Sequence, residues 1–130
     1  MVLTSIQIFW RQISDSGSRR RPTVVCISGS TRFTEELREA NLRESLAGRI
    51  VLSVGVVIRS DDDLLATGEL TMEDKVRLDE PHLRKIDMCD ELLVLNVGGY
   101  YGDSTRAEII YAAKMEIPIR WLEPDKARMP

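Results

Sequence analysis

At 130 residues the chain has room for one domain, and its 43% hydrophobic content is enough for a real core. Charged residues make up 30% with a net charge of -3, which argues against the basic surface that general binding to polymeric nucleic acid needs. No apolar run reaches the ~18 residues required to cross a membrane, and no basic stretch followed by a long apolar one opens the chain, so neither a signal peptide nor a membrane partner is expected.

Cys26 and Cys89 sit in apolar surroundings and read as a reduced pair in a cytoplasmic protein. With His82 as the one histidine, no zinc ligand set assembles, and no metal or cofactor is expected.

Residues 1–22 differ from the rest. Met1–Trp10 is mildly apolar, and Arg11–Pro22 is rich in Ser, Gly and Arg, ending in the run Arg19–Arg21. The segment reads as an N-terminal arm, either poorly ordered or an oligomer contact. Thr23–Ser28 is a nearly continuous apolar, β-branched run, which marks a strand covered on both faces. Gly29-Ser30-Thr31-Arg32 follows. Thr34 then stands as a cap for a helix with Glu35 and Glu36 in its first turn, and Gly48 ends it.

Ile50–Ile58 reads as a second strand, kinked at Gly55. Arg59–Glu69 reads as an acidic surface loop or lid, whose Asp61-Asp62-Asp63 lacks the spacing of a calcium loop. Thr71 and Asp74 form a capping-box pattern opening a helix that Pro81 is expected to kink or split. Leu92–Leu95 is a third strand. The loop Asn96–Asp103 follows, then a helix Ser104–Met115, a fourth strand Ile117–Leu122 and an irregular tail.

The order β-α-β-α-β-α-β predicts a small doubly wound, flavodoxin-like α/β fold with a parallel sheet of four to five strands and helices on both faces. Right-handed crossovers place strands 1 and 3 side by side. Their following loops then meet at a topological switch point, where such folds bind ligands.

Three constellations carry candidate chemistry. In the first loop, Gly29, Ser30, Thr31 and Arg32 offer close backbone approach, hydroxyls and a guanidinium to an anion, although the same residues also suit a plain βα turn. In the second, Gly98 and its neighbours lead to Ser104 and Thr105 at a helix N-terminus, either of them a phosphate contact or simply the cap. Tyr100 and Tyr101 offer stacking surfaces for a base. Glu108, flanked by Ile109 and Ile110, is the candidate nucleophile or stabiliser of cationic charge, against the alternative of a surface glutamate. Asp103 is a candidate second acid or a cap, and His82 a proton carrier or a structural histidine.

The block Asp90-x-Leu92-x-Val94-x-Asn96, then Gly102-Asp103-Ser104-Thr105-x-x-Glu108-x-x-Tyr111-Ala112, then Ile117-Pro118-Ile119, resembles the nucleoside 2-deoxyribosyltransferase superfamily. The whole of Thr23–Pro124 is similar to its uncharacterised bacterial and phage members and, in its loops, to its nucleoside-monophosphate N-glycosidases. Residues 1–22 and 125–130 lie outside the resemblance. It implies a glutamate, here Glu108, that attacks the anomeric carbon of a nucleoside or nucleotide. It also implies a 5′-phosphate held by Gly29, Ser30, Arg32 and Ser104 or Thr105, and a homo-oligomer, dimer or tetramer. Ile110 stands where that family has glycine, and Met115-Glu116 where it has Gly-Lys. Its upstream acid has Asp79, Glu80 and His82 as neighbours but no single match, and its loop acid only Asp103. The expected activity is therefore N-glycosidic-bond cleavage or transfer. A non-catalytic nucleotide-binding or sensing domain is the alternative, and hydrolysis of an NAD or ADP-ribose derivative a third reading.

Overall fold

A computed structural model describes residues 2–16, 21–53 and 61–130. Its elements are α1 (Ser5–Ser16), β1 (Val24–Ser28), α2 (Thr34–Leu46), β2 (Ile50–Leu52), α3 (Asp61–Ala66), α4 (Met72–Asp87), β3 (Glu91–Val94), α5 (Asp103–Lys114) and β4 (Ile119–Trp121). The four strands form one parallel sheet in the order β2-β1-β3-β4. The register pairs Cys26 with Leu52 and Leu92, and Leu92 with Ile119. The α/β class, the parallel sheet and the central β1–β3 pair are as the sequence predicts.

Alternation along the strands divides the core between two faces. Cys26, Leu92 and Val94 pack with Ile86 of α4 and with Ile109 and Ala112 of α5. Val25, Ile27, Leu93 and Leu95 pack with Ala40 of α2 on the other side. Beside that second core the buried Glu44 pairs with Arg49 at 2.5 Å and with Arg120, and Arg120 also pairs with Glu91 at 2.8 Å. A carboxylate taken out of water is thus met by two guanidinium groups, as burial of a charge requires.

Several expected boundaries change. β1 and β4 are shorter than their expected runs and β3 begins one residue earlier than expected, while residues 54–58 of the expected second strand, Gly55 included, lie outside the described residues. So do Arg59 and Ser60, but the rest of the expected loop contains a helix. Asp61-Asp62-Asp63 forms the first turn of α3. Gly68, at φ 78°, ends α3 by letting Glu69 N bond Leu64 O (3.0 Å) and Gly68 N bond Leu65 O (3.2 Å).

α4 is one helix through Pro81 rather than two. The expected capping box fixes its start, with Asp74 N on Thr71 Oγ1 and Thr71 N on Asp74 Oδ2, both 3.1 Å. The buried His82 and Ile86 hold its other half. Pro81 itself is exposed, so the carbonyl one turn back that loses its amide partner lies on the solvent side.

The arm of residues 1–22 contains α1, also started by a capping box: Thr4 N donates to Gln7 Oε1 at 2.8 Å and Gln7 N to Thr4 Oγ1 at 3.2 Å. At the other end Pro124–Lys126 forms a 3₁₀ turn, so the tail is partly regular.

Candidate active site

β1 and β3 end side by side, with Leu95 N donating to Ser28 O at 2.8 Å. The chain after Ser28 passes so close to β3 that a Cβ on Gly29 would lie 2.8 Å from Leu95 Cβ. Glycine is therefore required there by packing alone. Ser30 then folds the first loop back: its carbonyl accepts from Phe33 N (3.0 Å) and its hydroxyl from Arg32 N (3.3 Å). This makes Phe33, not Thr34, the N-cap residue of α2, and no side chain caps that helix. Thr31 is half-buried in the same turn. The Arg32 guanidinium lies over the Tyr100 ring, 4.9 Å from its centroid, and Phe33 meets the same ring edge-on at 6.1 Å. The first and second loops thus meet through Tyr100, as the topology predicts.

α5 starts differently from expectation. Its N-cap is Gly102, with extended backbone, so Asp103, Ser104 and Thr105 are its first three helical residues and none of their side chains caps it. Thr105 is buried at 2% exposure. One turn further, Glu108 is 8% exposed and lies under the end of β1. The Ser28 hydroxyl donates to Glu108 Oε2. His82 Nε2 of α4 is 3.5 Å from the same oxygen. His82 is 4% exposed, and neither of its ring nitrogens makes a hydrogen bond.

Burial pushes the Glu108 carboxyl up to about 7, the Ser28 hydrogen bond works downward, and the charge of Asp79 adds to the rise. Burial pushes His82 the opposite way, down to about 4, helped by the positive charge of Lys85. At neutral pH the pair is a neutral imidazole beside a carboxyl near its midpoint. It is not an ion pair.

A second cluster adjoins it. Lys75 Nζ donates to Ser104 Oγ at 2.6 Å and to Asp79 Oδ2 at 3.1 Å. Lys75, Asp79 and His82 recur at i, i+4 and i+7, so one stripe of α4 faces the start of α5 and Glu108. Glu80 is outside it, pairing with Arg84 at 3.3 Å in an exposed position.

The remaining candidates lie on the outer side of the Gly-rich loop. Asp103 is exposed and, with Tyr100, Tyr101 and Arg106, lines a cavity of about 400 Å³ bounded by Arg128–Pro130. Tyr101 donates its hydroxyl to Arg128 O at 2.6 Å and packs on Trp121. Gly98, at φ 63°, donates its N–H to Glu123 Oε2 at 2.6 Å. The buried Asn96 exchanges two 2.9 Å bonds with the Glu123 backbone. This half of the loop is fastened to the C-terminal segment, and that is why Asp103, Tyr101 and Gly98 do not gather around Glu108. Tyr111, one turn after Glu108, donates its hydroxyl to Asp87 and so does not orient the glutamate.

Ser28 and Lys75 were not among the residues singled out from sequence. Both carry a readable signal. Ser28 stands two residues after Cys26, so alternation puts its hydroxyl on the face that α4 and α5 cover. Lys75 stands at helical spacing from Asp79 and His82. The sequence matches no family model, no curated protein and no solved structure.

Proposed function

We propose that the protein breaks the N-glycosidic bond of a nucleoside or nucleoside 5′-monophosphate, with Glu108 as nucleophile. One observation carries the reading. The buried Glu108 carboxyl, in the second turn of α5, is held by Ser28 at the end of β1 and raised to about 7, and the helices that follow β1 and β3, α2 and α5, both start without a side-chain cap. The amide groups of uncapped helix starts favour a phosphate, and Arg32 and Lys75 bring cations to those same two starts. A carboxylate kept dry and poised near neutral pH suits attack on an anomeric carbon. The sequence resemblance to nucleoside 2-deoxyribosyltransferases supports the same role for Glu108.

In this mechanism Ser28 and His82 occupy the Oε2 side of the carboxylate, and Oε1 attacks C1′. The C1′–N bond breaks, its electron pair leaves with the base, and the base takes up a proton from solvent. Water then attacks C1′ of the glycosyl ester, and the C1′–O bond breaks to return the carboxylate. His82 is the near group that accepts the proton water releases. Tyr100, held between Arg32 and Phe33, offers its outer surface to the base.

The test is release of free base, followed by chromatography, from a panel of nucleosides and their 5′-monophosphates. Turnover abolished by Glu108→Gln is the expected result. Base release that survives this change overturns the assignment. Tight binding of a monophosphate with no turnover by the parent protein establishes the sensing alternative instead.

A further inference from the structure

We propose that α1 is an interfacial helix that seats the protein on an anionic lipid surface. The helix is built rather than incidental, because Thr4 and Gln7 close a capping box at its start. Ile6, Phe9 and Trp10 fall at i, i+3 and i+4, which places them along one side. They are 69%, 56% and 60% exposed, and the Phe9 and Trp10 rings stand edge to face 5.8 Å apart. Such a stripe ending in Trp, with uncharged Ser5 and Gln7 beside it, has the composition of a helix that lies in a membrane interface. No helix among the described residues is long and apolar enough to cross a bilayer, and α1 lies on one rather than through it.

Charge selects the occupant. Residues 1–22 hold four arginines, of which Arg21 is paired with Asp90, and one acid, whereas residues 23–130 hold fourteen basic and twenty acidic residues. An anionic surface attracts the arm and repels the body, so contact is confined to the arm. Protein is a poorer occupant. Three side chains of this size cover at most about 600 Å², under the ~800 Å² that each partner gives to a standard interface, and pairing two arms would bring their arginines together. The geometry of the exit is also suitable. Arg21 grips Asp90 through two bonds of 2.7 and 2.8 Å, and Asp90 immediately precedes β3. The arm therefore leaves from the amino edge of the sheet, and Glu108, near the carboxyl edge, stays turned toward solution.

Co-sedimentation of the full chain with phosphatidylcholine vesicles, with and without about 30% phosphatidylserine, tests this. Anionic lipid should raise the bound fraction about tenfold and shift tryptophan emission to the blue. Replacing Ile6, Phe9 and Trp10 together by Ser should abolish both effects while leaving the melting temperature of the body unchanged, since none of the three is in the core. Changing Arg19 and Arg20 to Ser should weaken binding about fivefold per arginine. Equal, negligible binding to both vesicles overturns the proposal, as does full binding by the triple Ser variant. A dimer in sedimentation velocity that the triple variant dissociates, with no lipid binding, would assign the stripe to a second copy.

Discussion

Ser28 Oγ donates a hydrogen bond to Glu108 Oε2, joining the last residue of β1 to the second turn of α5 across 80 positions of chain. Both groups are buried: Ser28 is fully so and Glu108 is 8% exposed. The hydroxyl is the one neighbour that favours the charged carboxylate by direct hydrogen bonding, against the burial that opposes it. The bond therefore sets how much of Glu108 is ionised near neutral pH as well as where it points.

Removing that bond with Ser28→Ala should lower base release at pH 7 by about ten- to a hundredfold, the usual worth of a hydrogen bond to a charged group. It should also move the acid limb of the pH–rate profile upward, because the carboxylate loses the group that lowers its pKa. Rates measured from pH 5 to 9 separate the two effects. A profile displaced downward, or unchanged at full activity, would contradict the role given to Ser28.

Ionised Glu108 is a burden on the fold. Its folded-state pKa, about 7, lies above the ordinary 4.5. Its contribution is therefore fully present below pH 4.5 and is lost as pH rises through 7. That window corresponds to roughly 3 kcal/mol at 1.36 kcal/mol per unit. Glu108→Gln keeps an acceptor for Ser28 and removes the charge. Its melting temperature should exceed that of the parent at pH 8 and approach it at pH 4. A variant no more stable than the parent at pH 8 would show that the buried charge is satisfied by other means.

Much of this arrangement was legible in the chain, and the exceptions have physical causes. Continuous apolar runs marked β1 and β3, and crossover handedness put their loops together, which the Arg32–Tyr100 contact now realises. A hydroxyl at Thr34, or at Ser104 or Thr105, suits a helix start without fixing the backbone before it: the turn at Ser30 and the extended Gly102 put the caps at Phe33 and Gly102, earlier in the chain. Asp103 was grouped with Glu108 on sequence proximity, but five residues of helix turn it to the opposite side, toward Arg128. Pro81 suits a kink or a split, yet the helix runs on through it, since tertiary burial of His82 and Ile86 outweighs the loss of one helical hydrogen bond. Ser28 went unnoticed because its partner is 80 residues away, a distance that no local pattern spans.

His82 should produce the opposite pH signature to Glu108. Its folded-state pKa is pushed down to about 4 from 6.5, so its contribution is present above pH 6.5 and is lost as pH falls through 4. Between pH 4.5 and 6.5 the two residues act against each other, and the parent protein should show a shallow pH dependence there. His82→Leu removes one side, along with two buried nitrogens that lack hydrogen bonds. Urea midpoints for this variant should exceed those of the parent at pH 4.5 by more than they do at pH 7. Turnover should fall in parallel if the imidazole accepts the proton of the attacking water. An identical pH dependence of stability in variant and parent would remove His82 from the titrating pair.

The phosphate end of the site is separable from the bond-breaking end. Lys75 Nζ holds Ser104 Oγ at 2.6 Å at the uncapped start of α5, while Arg32 stands at the start of α2 over Tyr100. Neither touches Glu108 directly, so each should affect binding of a 5′-phosphate more than the chemistry at C1′. Lys75→Met should raise KM for a nucleoside 5′-monophosphate about ten- to thirtyfold and leave KM for the matching nucleoside within about twofold, as loss of one charge-assisted hydrogen bond implies. Arg32→Ala should do the same, with a further loss for both substrates if release of Tyr100 disorders the base-facing surface. Lys75 also lowers the Glu108 pKa through its charge, so Lys75→Met should shift the acid limb of the rate profile upward by a smaller amount than Ser28→Ala does. Steady-state kinetics on a nucleoside and its monophosphate, each across pH 6 to 8, measures all three effects together. Equal losses on the two substrates would place Lys75 and Arg32 in general support of the site and remove the phosphate from its ligand.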